Sequence, residues 1–317
     1  MTIKDKPGLM TVDGSGVAAA QTCHISVCIC TFRRPELLGL LLGKLENQQT
    51  KNRFKYSVVV VDNDSARSAE EVVRSFSFAT HLQVTYCVEP EQNIALARNR
   101  ALQHAEGDFI AFMDDDEFPA EDLLSSLLET QMKYGVEGVL GPVQPYFDCD
   151  PPRWVKKGRF FERPRYKTGY KVKWEQARTG NVLFKRSILE GIAIPFAAEF
   201  NTAGEDVDFF RRMMGKGCSF IWCNEAVVYE LVPSSRCKLR YLLNRALLRG
   251  STFPKHPSHR IKNIVKSLIA VPCYAVVLPV LSLFGLHVFV KCLIKLLDHA
   301  SRLLAFLGLS LVTERQV

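Results

Sequence analysis

Four carboxylates stand in a row at Asp114–Glu117, directly after the apolar run "FIAFM". Like charges this close repel one another unless a cation lies among them. Asp114 and Asp116, two apart at a strand end, can point to one side of the chain. Paired oxygen ligands of that kind suit Mg2+ or Mn2+, whose coordination a substrate's phosphates complete. The plainer alternative is an acidic turn leading past Pro119 into a helix. Two more acidic groups accompany the quartet. Asp62 and Asp64 in "VVVVDNDS" can accept from ribose hydroxyls and base N–H groups, or simply close a turn. Glu205 and Asp206 in "GEDVDFF" open a helix, whose dipole favours an ionised carboxylate and so a general base able to take a hydroxyl proton. The same pair would also serve as an ordinary acidic first turn.

The elements that must position these groups alternate. Strands are expected over 24–30, 55–64, 82–89 and 108–113, and helices over 34–48, 68–76, 94–105 and 120–134. Pro35 opens the first helix, and Ser68 is a candidate N-cap for the second, with Glu71 three residues on. The four valines of "SVVVVD" show no alternation, which fits a sheet covered on both faces. This βαβαβαβ order implies right-handed crossovers and a mainly parallel sheet, with ligands beyond the carboxyl ends of the strands. Thr31, Asp62, Asp64 and Asp114–Glu117 all stand at such ends. Further on, 137–147 and 179–189 are strand-like, 204–217 is a helix with Phe209, Phe210 and Met213 at packing positions, and 219–233 holds another strand or two.

The chain has 317 residues, 47% apolar and 23% charged, with a net charge of +8. This composition is that of a folded globular protein with a substantial core. Residues 151–178 hold ten Lys and Arg against only Glu162 and Glu175, interleaved with Trp154, Phe160, Phe161, Tyr166, Tyr170 and Trp174. A nucleic acid, a solvated loop or an anionic lipid or phosphorylated substrate would each suit that stretch. The run forms no defined nucleic-acid motif, so nucleic acid is not expected as a partner. The ten cysteines show no C-x-x-C spacing and are expected as reduced core residues. Residues 1–22 read as a flexible leader without a secretory signal.

From about residue 261 the composition shifts. Residues 267–290 contain no Asp, Glu, Lys or Arg and are long enough to span a bilayer. Pro272, Pro279 and Gly285 interrupt the run, and Lys262, Lys266, Lys291 and Lys295 bracket both ends, which favours a re-entrant or monotopic hairpin over a simple span. Residues 292–309 alternate at helical spacing, as an interface helix would. The alternative is a helical pair buried within the soluble fold.

"SVCICTFRRPELL", "VVVVDND", "EPEQNIALARNRAL", "FMDDDEFP", "TGNVLFKR" and "GEDVDFFRR" together resemble family 2 glycosyltransferases, nearest the branch that builds bacterial exopolysaccharide repeat units of the succinoglycan type. The resemblance runs from about residue 24 to 250. It implies a GT-A fold, an α/β architecture with a mainly parallel central sheet, over residues 23–255, with a membrane-associating helical tail over 256–317. It also implies a UDP-sugar donor, inversion at the anomeric carbon, and Mg2+ or Mn2+. Carried over position by position, Thr31 and Asp62 contact the uridine, with Arg33 nearby. Asp116 is the more direct metal ligand, and Asp114 lies nearer the ribose. Arg98 and Asn99 line the donor pocket, and Gly180 and Asn181 border donor sugar and acceptor. Asp206 is the catalytic base and Glu205 supports the acceptor.

Three departures stand out: Asn93 and Ala203 where glycine is common, and Glu230 where many members have a metal-binding His. Glu230 is therefore a candidate metal ligand, and Arg236 in the same segment a candidate to face the diphosphate. The acceptor expected from the resemblance is a lipid-diphosphate-linked glycan at the cytoplasmic face of the bacterial inner membrane, with other polysaccharide-assembly enzymes as candidate partners. The donor sugar suggested by the resemblance is glucose. A haloacid-dehalogenase-type phosphatase is disfavoured, because Phe118 stands where that D-x-D motif needs Thr or Val. A non-catalytic sugar-nucleotide-binding or polysaccharide-binding module is the other alternative, against which the intact D-x-D and Glu205–Asp206 pairs argue.

Overall fold

In the computed structural model, residues 22–200, 204–252 and 260–309 are described. The expected leader lies outside these residues except for Thr22, as does Ala203. The first half reads β1 (Cys23–Thr31), α1 (Pro35–Glu46), β2 (Phe54–Asp62), α2 (Glu70–Ala79), β3 (Val84–Val88), α3 (Ile94–His104), β4 (Phe109–Asp114), β5 (Glu117–Pro119) and α4 (Leu123–Tyr134). The second half reads β6 (Gly138–Leu140), β7 (Val143–Phe147), α5 (Arg153–Gly158), β8 (Val182–Lys185), α6 (Glu205–Gly215), β9 (Phe220–Trp222), β10 (Val228–Val232), α7 (Leu239–Thr252), α8 (Arg260–Leu281) and α9 (Leu286–Phe306).

The large sheet runs β3-β2-β1-β4-β8-β6-β9, and the first four of these strands are mutually parallel. β8 enters antiparallel to both β4 and β6. β5, β10 and β7 form a second, small sheet. The valines of β2 divide between the two faces as a doubly covered strand requires. Val58 and Val60 pack with Leu38, Leu41 and Leu42 of α1, while Val59 and Val61 pack with Ala97 and Ala101 of α3. Phe209, Phe210 and Met213 of α6 are fully buried in the second of these clusters, as their spacing predicts.

Local details differ from the sequence reading. Ser68 does not cap α2. Asp62 takes the Ala69 amide instead, at 2.7 Å, while the Ser68 hydroxyl accepts from the Arg33 amide. The strand-like run 137–147 breaks at Gly141–Pro142 and feeds two different sheets. A side chain at Gly141 would collide with the Ala226 carbonyl, 2.1 Å from an ideal Cβ. The run 179–189 yields only the four residues of β8 before a 3-10 turn. Asn93 has an extended backbone and needs no glycine. Its side chain caps α3 by accepting from the Ala95 amide, and its amide group donates to the Ala198 carbonyl. All ten cysteines are free.

The tail forms a helical pair. α8 continues through Pro272 and Pro279, contrary to the expected interruptions, and the chain turns at Gly285, where φ is 103°. Proline removes one helical N–H each time, a loss that apolar helices of this kind tolerate. Residues Asn263–Phe284 are long and apolar enough to cross a membrane, and only 6% of their most apolar window is buried. α9 is different. It packs against both α7 and α8, with Asp298 paired to Arg249 and Arg302 and the Ser301 hydroxyl on the Leu247 carbonyl.

Candidate active site

The parallel register brings three strand ends level: Thr31 pairs with Asp62, and Cys30 with Asp114. The first strand end is fastened to the fourth, since the Thr31 hydroxyl donates to Asp115 at 2.9 Å. The acidic quartet therefore opens into one crevice at the carboxyl edge of the sheet, as α/β topology leads one to expect. Arginines are the cations the quartet meets within the protein. Arg34 lies 3.1 Å from Asp115 and 3.4 Å from Asp116, and Arg236 lies 3.1 Å from Asp116. Asp114 has a different neighbour, Arg98, at 3.7 Å.

Arg98 links two acidic groups. Its guanidinium also binds Glu205 at the first turn of α6, so the strand-end acids and the helix-start acids share one cation. Burial works against that charge, but Glu205, Asp114 and Asp206 outweigh it and raise the Arg98 pKa. Burial likewise pushes the Glu205 carboxyl up, opposed by Arg98. Asp206 accepts the Val207 amide on one oxygen, and its other oxygen lies 3.9 Å from Arg178. Asp115 is pushed up to about 6 by burial, against the pull of Arg34. Glu117 is fully buried, and burial followed by the Asp114 charge raises its pKa. One Glu117 oxygen takes the Asp114 amide, while the other has no hydrogen-bond partner among the described residues. Gly180 makes room for it: an ideal Cβ there would sit 2.6 Å from that oxygen.

Other expected residues turn inward. Asp62 is wholly buried and accepts from the Asp64 and Ala69 amides and the Tyr86 hydroxyl. Asn99 clamps the Phe196 backbone through its one side-chain amide, whose N–H donates to the Phe196 carbonyl and whose oxygen accepts from the Phe196 N–H. Asn181, buried with φ 57°, donates to the Pro142 and Ala226 carbonyls and so ties the β6–β7 break to the β9–β10 loop. Arg33 pairs with Asp64 at 3.0 Å and holds that carboxyl below its usual range. Its own backbone is left-handed, φ 54°, and its side chain is largely exposed. Glu230 is bound by Arg163, from the basic stretch, and by Arg236 at 3.4 Å. The sequence reading missed Arg34, Arg163 and Arg178. Only Arg34 left a signal, being a second cation just past the end of β1.

The residues suit a divalent cation in part. Asp114 is 45% exposed at the side chain, and Asp116 adds a second hard oxygen donor one strand-turn on. Among the described residues no three His, Cys, Asp or Glu side chains gather as a full ligand set. A metal there would draw its remaining ligands from a substrate diphosphate and water, a habit of Mg2+. Glu230 could join only if its arginine pairs opened.

A mainly parallel sheet whose acidic strand ends face a helix-borne carboxylate pair is the plan of a GT-A-type fold. The chain belongs to glycosyl transferase family 2, which residues 26–192 match. It is 35% identical over 239 residues to the succinoglycan biosynthesis protein ExoM of Rhizobium meliloti, covering 73% of this chain and 74% of that one. It is 30% identical over 119 residues to the GalNAc(5)-diNAcBac-PP-undecaprenol beta-1,3-glucosyltransferase of Campylobacter jejuni, covering 36% of this chain and 35% of that one. The S. aureus TarS 1–349 structure in complex with UDP shares the fold with a TM-score of 0.51 at 17% identity, over 92% of this chain and 94% of that one.

Proposed function

We propose that this protein is an inverting glycosyltransferase that moves a sugar, glucose by analogy with its relatives, from a UDP-sugar to a lipid-diphosphate-linked glycan in exopolysaccharide assembly. It works at the cytoplasmic face of a bacterial inner membrane, with residues 23–255 as the catalytic unit and 256–317 as a membrane-associating tail. The observation that carries this reading is Arg98, whose guanidinium lies against both Asp114 of β4 and Glu205 of α6. It joins the carboxylates suited to a donor with those suited to an acceptor in one crevice.

In this reading Thr31, Arg33, Asp62 and Asp64 shape the nucleoside end, and Arg98 and Asn99 fix the donor-pocket wall. Gly180 and Asn181 keep the sugar-facing segment close to β4. Asp206 takes the proton from an acceptor hydroxyl, whose oxygen attacks the anomeric carbon from the face opposite the nucleotide as the bond to the diphosphate oxygen breaks. Glu205 orients that hydroxyl. Arg236 stabilises the charge that develops on the departing diphosphate. Mg2+ or Mn2+ held by Asp114 and Asp116 would supply further positive charge there when bound.

The test is transfer of radiolabelled glucose from UDP-glucose to a bacterial lipid extract, by wild type and Asp206→Asn. The expected result is labelled lipid with wild type and a loss of at least about a hundredfold in the variant, with UDP affinity retained. Full activity in the variant would remove Asp206 as the base.

A further inference from the structure

A second cavity adjoins the crevice on the Asp116 side. It measures about 450 Å3 and lies between the start of α1, the end of β10 and the start of α7. Arg34, Arg236, Lys238 and Arg240 line it, and Asp116 is the only acid among its described lining residues. That acid is already held by Arg34 and Arg236. Lys238 and Arg240 have no ion-pair partner among the described residues, so the cavity keeps a clear excess of positive charge. The remaining lining is largely apolar or aromatic, with Leu37, Leu231 and Tyr241. Among its described lining residues there is no side-chain amide, and the one carboxylate is occupied, so beside the cations only the Ser235 and Tyr241 hydroxyls remain as polar groups. What the cavity offers is cation next to hydrocarbon.

Its position narrows the ligand further. α7 begins in the cavity wall and then packs along α9. The contact is close: an ideal Cβ on Gly250 would lie 2.6 Å from the Asp298 carbonyl. α9 in turn packs on α8, whose exposed face carries Leu268, Ile269, Val276 and Val280. α7 thus links the cavity wall, beside the strand-end carboxylate Asp116, to the apolar helical pair.

We propose that this cavity binds the phosphate or diphosphate group of a lipid, with Lys238, Arg240 and Arg34 on the phosphate oxygens and the adjoining hydrocarbon against Leu37 and Leu231. Cation–phosphate contacts of this kind are charge-assisted and stronger than neutral hydrogen bonds. The inference rests on the membrane-facing part of the proposed function. The lipid is either the carrier of the acceptor glycan or a phospholipid of the bilayer, and the two share this chemistry.

The experiment is calorimetric binding to the full-length protein in neutral detergent, wild type and the double variant Lys238→Ala/Arg240→Ala. The probes are farnesyl diphosphate, dihexanoyl phosphatidic acid, inorganic pyrophosphate and UDP with Mn2+. Both substituted side chains are exposed, and a thermal melt of the variant confirms its fold. Expected is binding of at least one lipid probe, weakened roughly tenfold or more in the variant, with UDP affinity unchanged. Farnesyl diphosphate as the tighter probe identifies the acceptor carrier, and phosphatidic acid a bilayer lipid. Inorganic pyrophosphate binding as tightly as the lipids would overturn the proposal, and so would binding of neither lipid. A parallel loss of UDP affinity would overturn it too, by making the cavity part of the donor seat. UDP binding by wild type reports on the transferase reading separately, so the two can fail independently.

Discussion

Asp114 and Asp116 sit two residues apart, yet they belong to different surroundings. Asp114 faces Arg98, which is 7% exposed, rooted in α3 and bound to Glu205 on α6. Asp116 faces Arg34 just before α1 and Arg236 in the 3-10 turn that leads into α7. The first partner is part of the core. Of the Asp116 partners, Arg236 belongs to the segment that joins the crevice to the helical tail, and it is shared with Glu230 and, through Glu230, with Arg163 of the basic stretch. A buried charge of the first kind is fixed at a cost in stability if its partner is lost. Partly exposed arginines on a short turn are better suited to exchanging a carboxylate for an incoming anion.

The comparison can be broken from its rigid side. Arg98→Ala leaves Glu205 buried without its cation and is expected to lower stability by about 3–5 kcal/mol, measured by urea denaturation. A variant as stable as wild type would place Arg98 in the exchangeable class. Arg236→Ala tests the other side. Stability should fall by about 1 kcal/mol or less, since Arg34 still accompanies Asp116. Transfer should fall about a hundredfold, the usual loss when one donor to developing charge is removed. Large destabilisation with unchanged turnover would reverse the two roles. The smallest expected effect sharpens the picture of α3. Asn93→Ala removes its cap and should cost about 1 kcal/mol in the same urea assay, with little change in transfer, because the cap supports the helix that carries Arg98 without lying beside Asp114.

The first four strands and their helices were legible because they carry local signals, such as the valines of β2 and Pro35 at the start of α1, and α6 was legible from the acids at its start. The placement of Thr31 beside Asp62 followed from topology alone. What lay hidden depends on distant contacts. The run 137–147 reads as one strand although it feeds two sheets, and nothing local shows that β8 slips between β4 and β6. Arg163 reaches Glu230 across 67 residues, and Arg98 reaches Glu205 across 107. Neither separation leaves a periodic trace. The inward commitments of Asp62, Asn99 and Asn181 were equally invisible, since a short polar side chain in a motif has the same sequence whether it meets a ligand or closes a turn.

The measurement that bears most directly on the central claim is calorimetric binding of UDP, with and without Mn2+, to wild type and Asp116→Asn. The account predicts metal-dependent UDP binding in the wild type and its loss in the variant. Equal UDP affinity in both proteins, or no binding of UDP by the wild type with metal present, would contradict it.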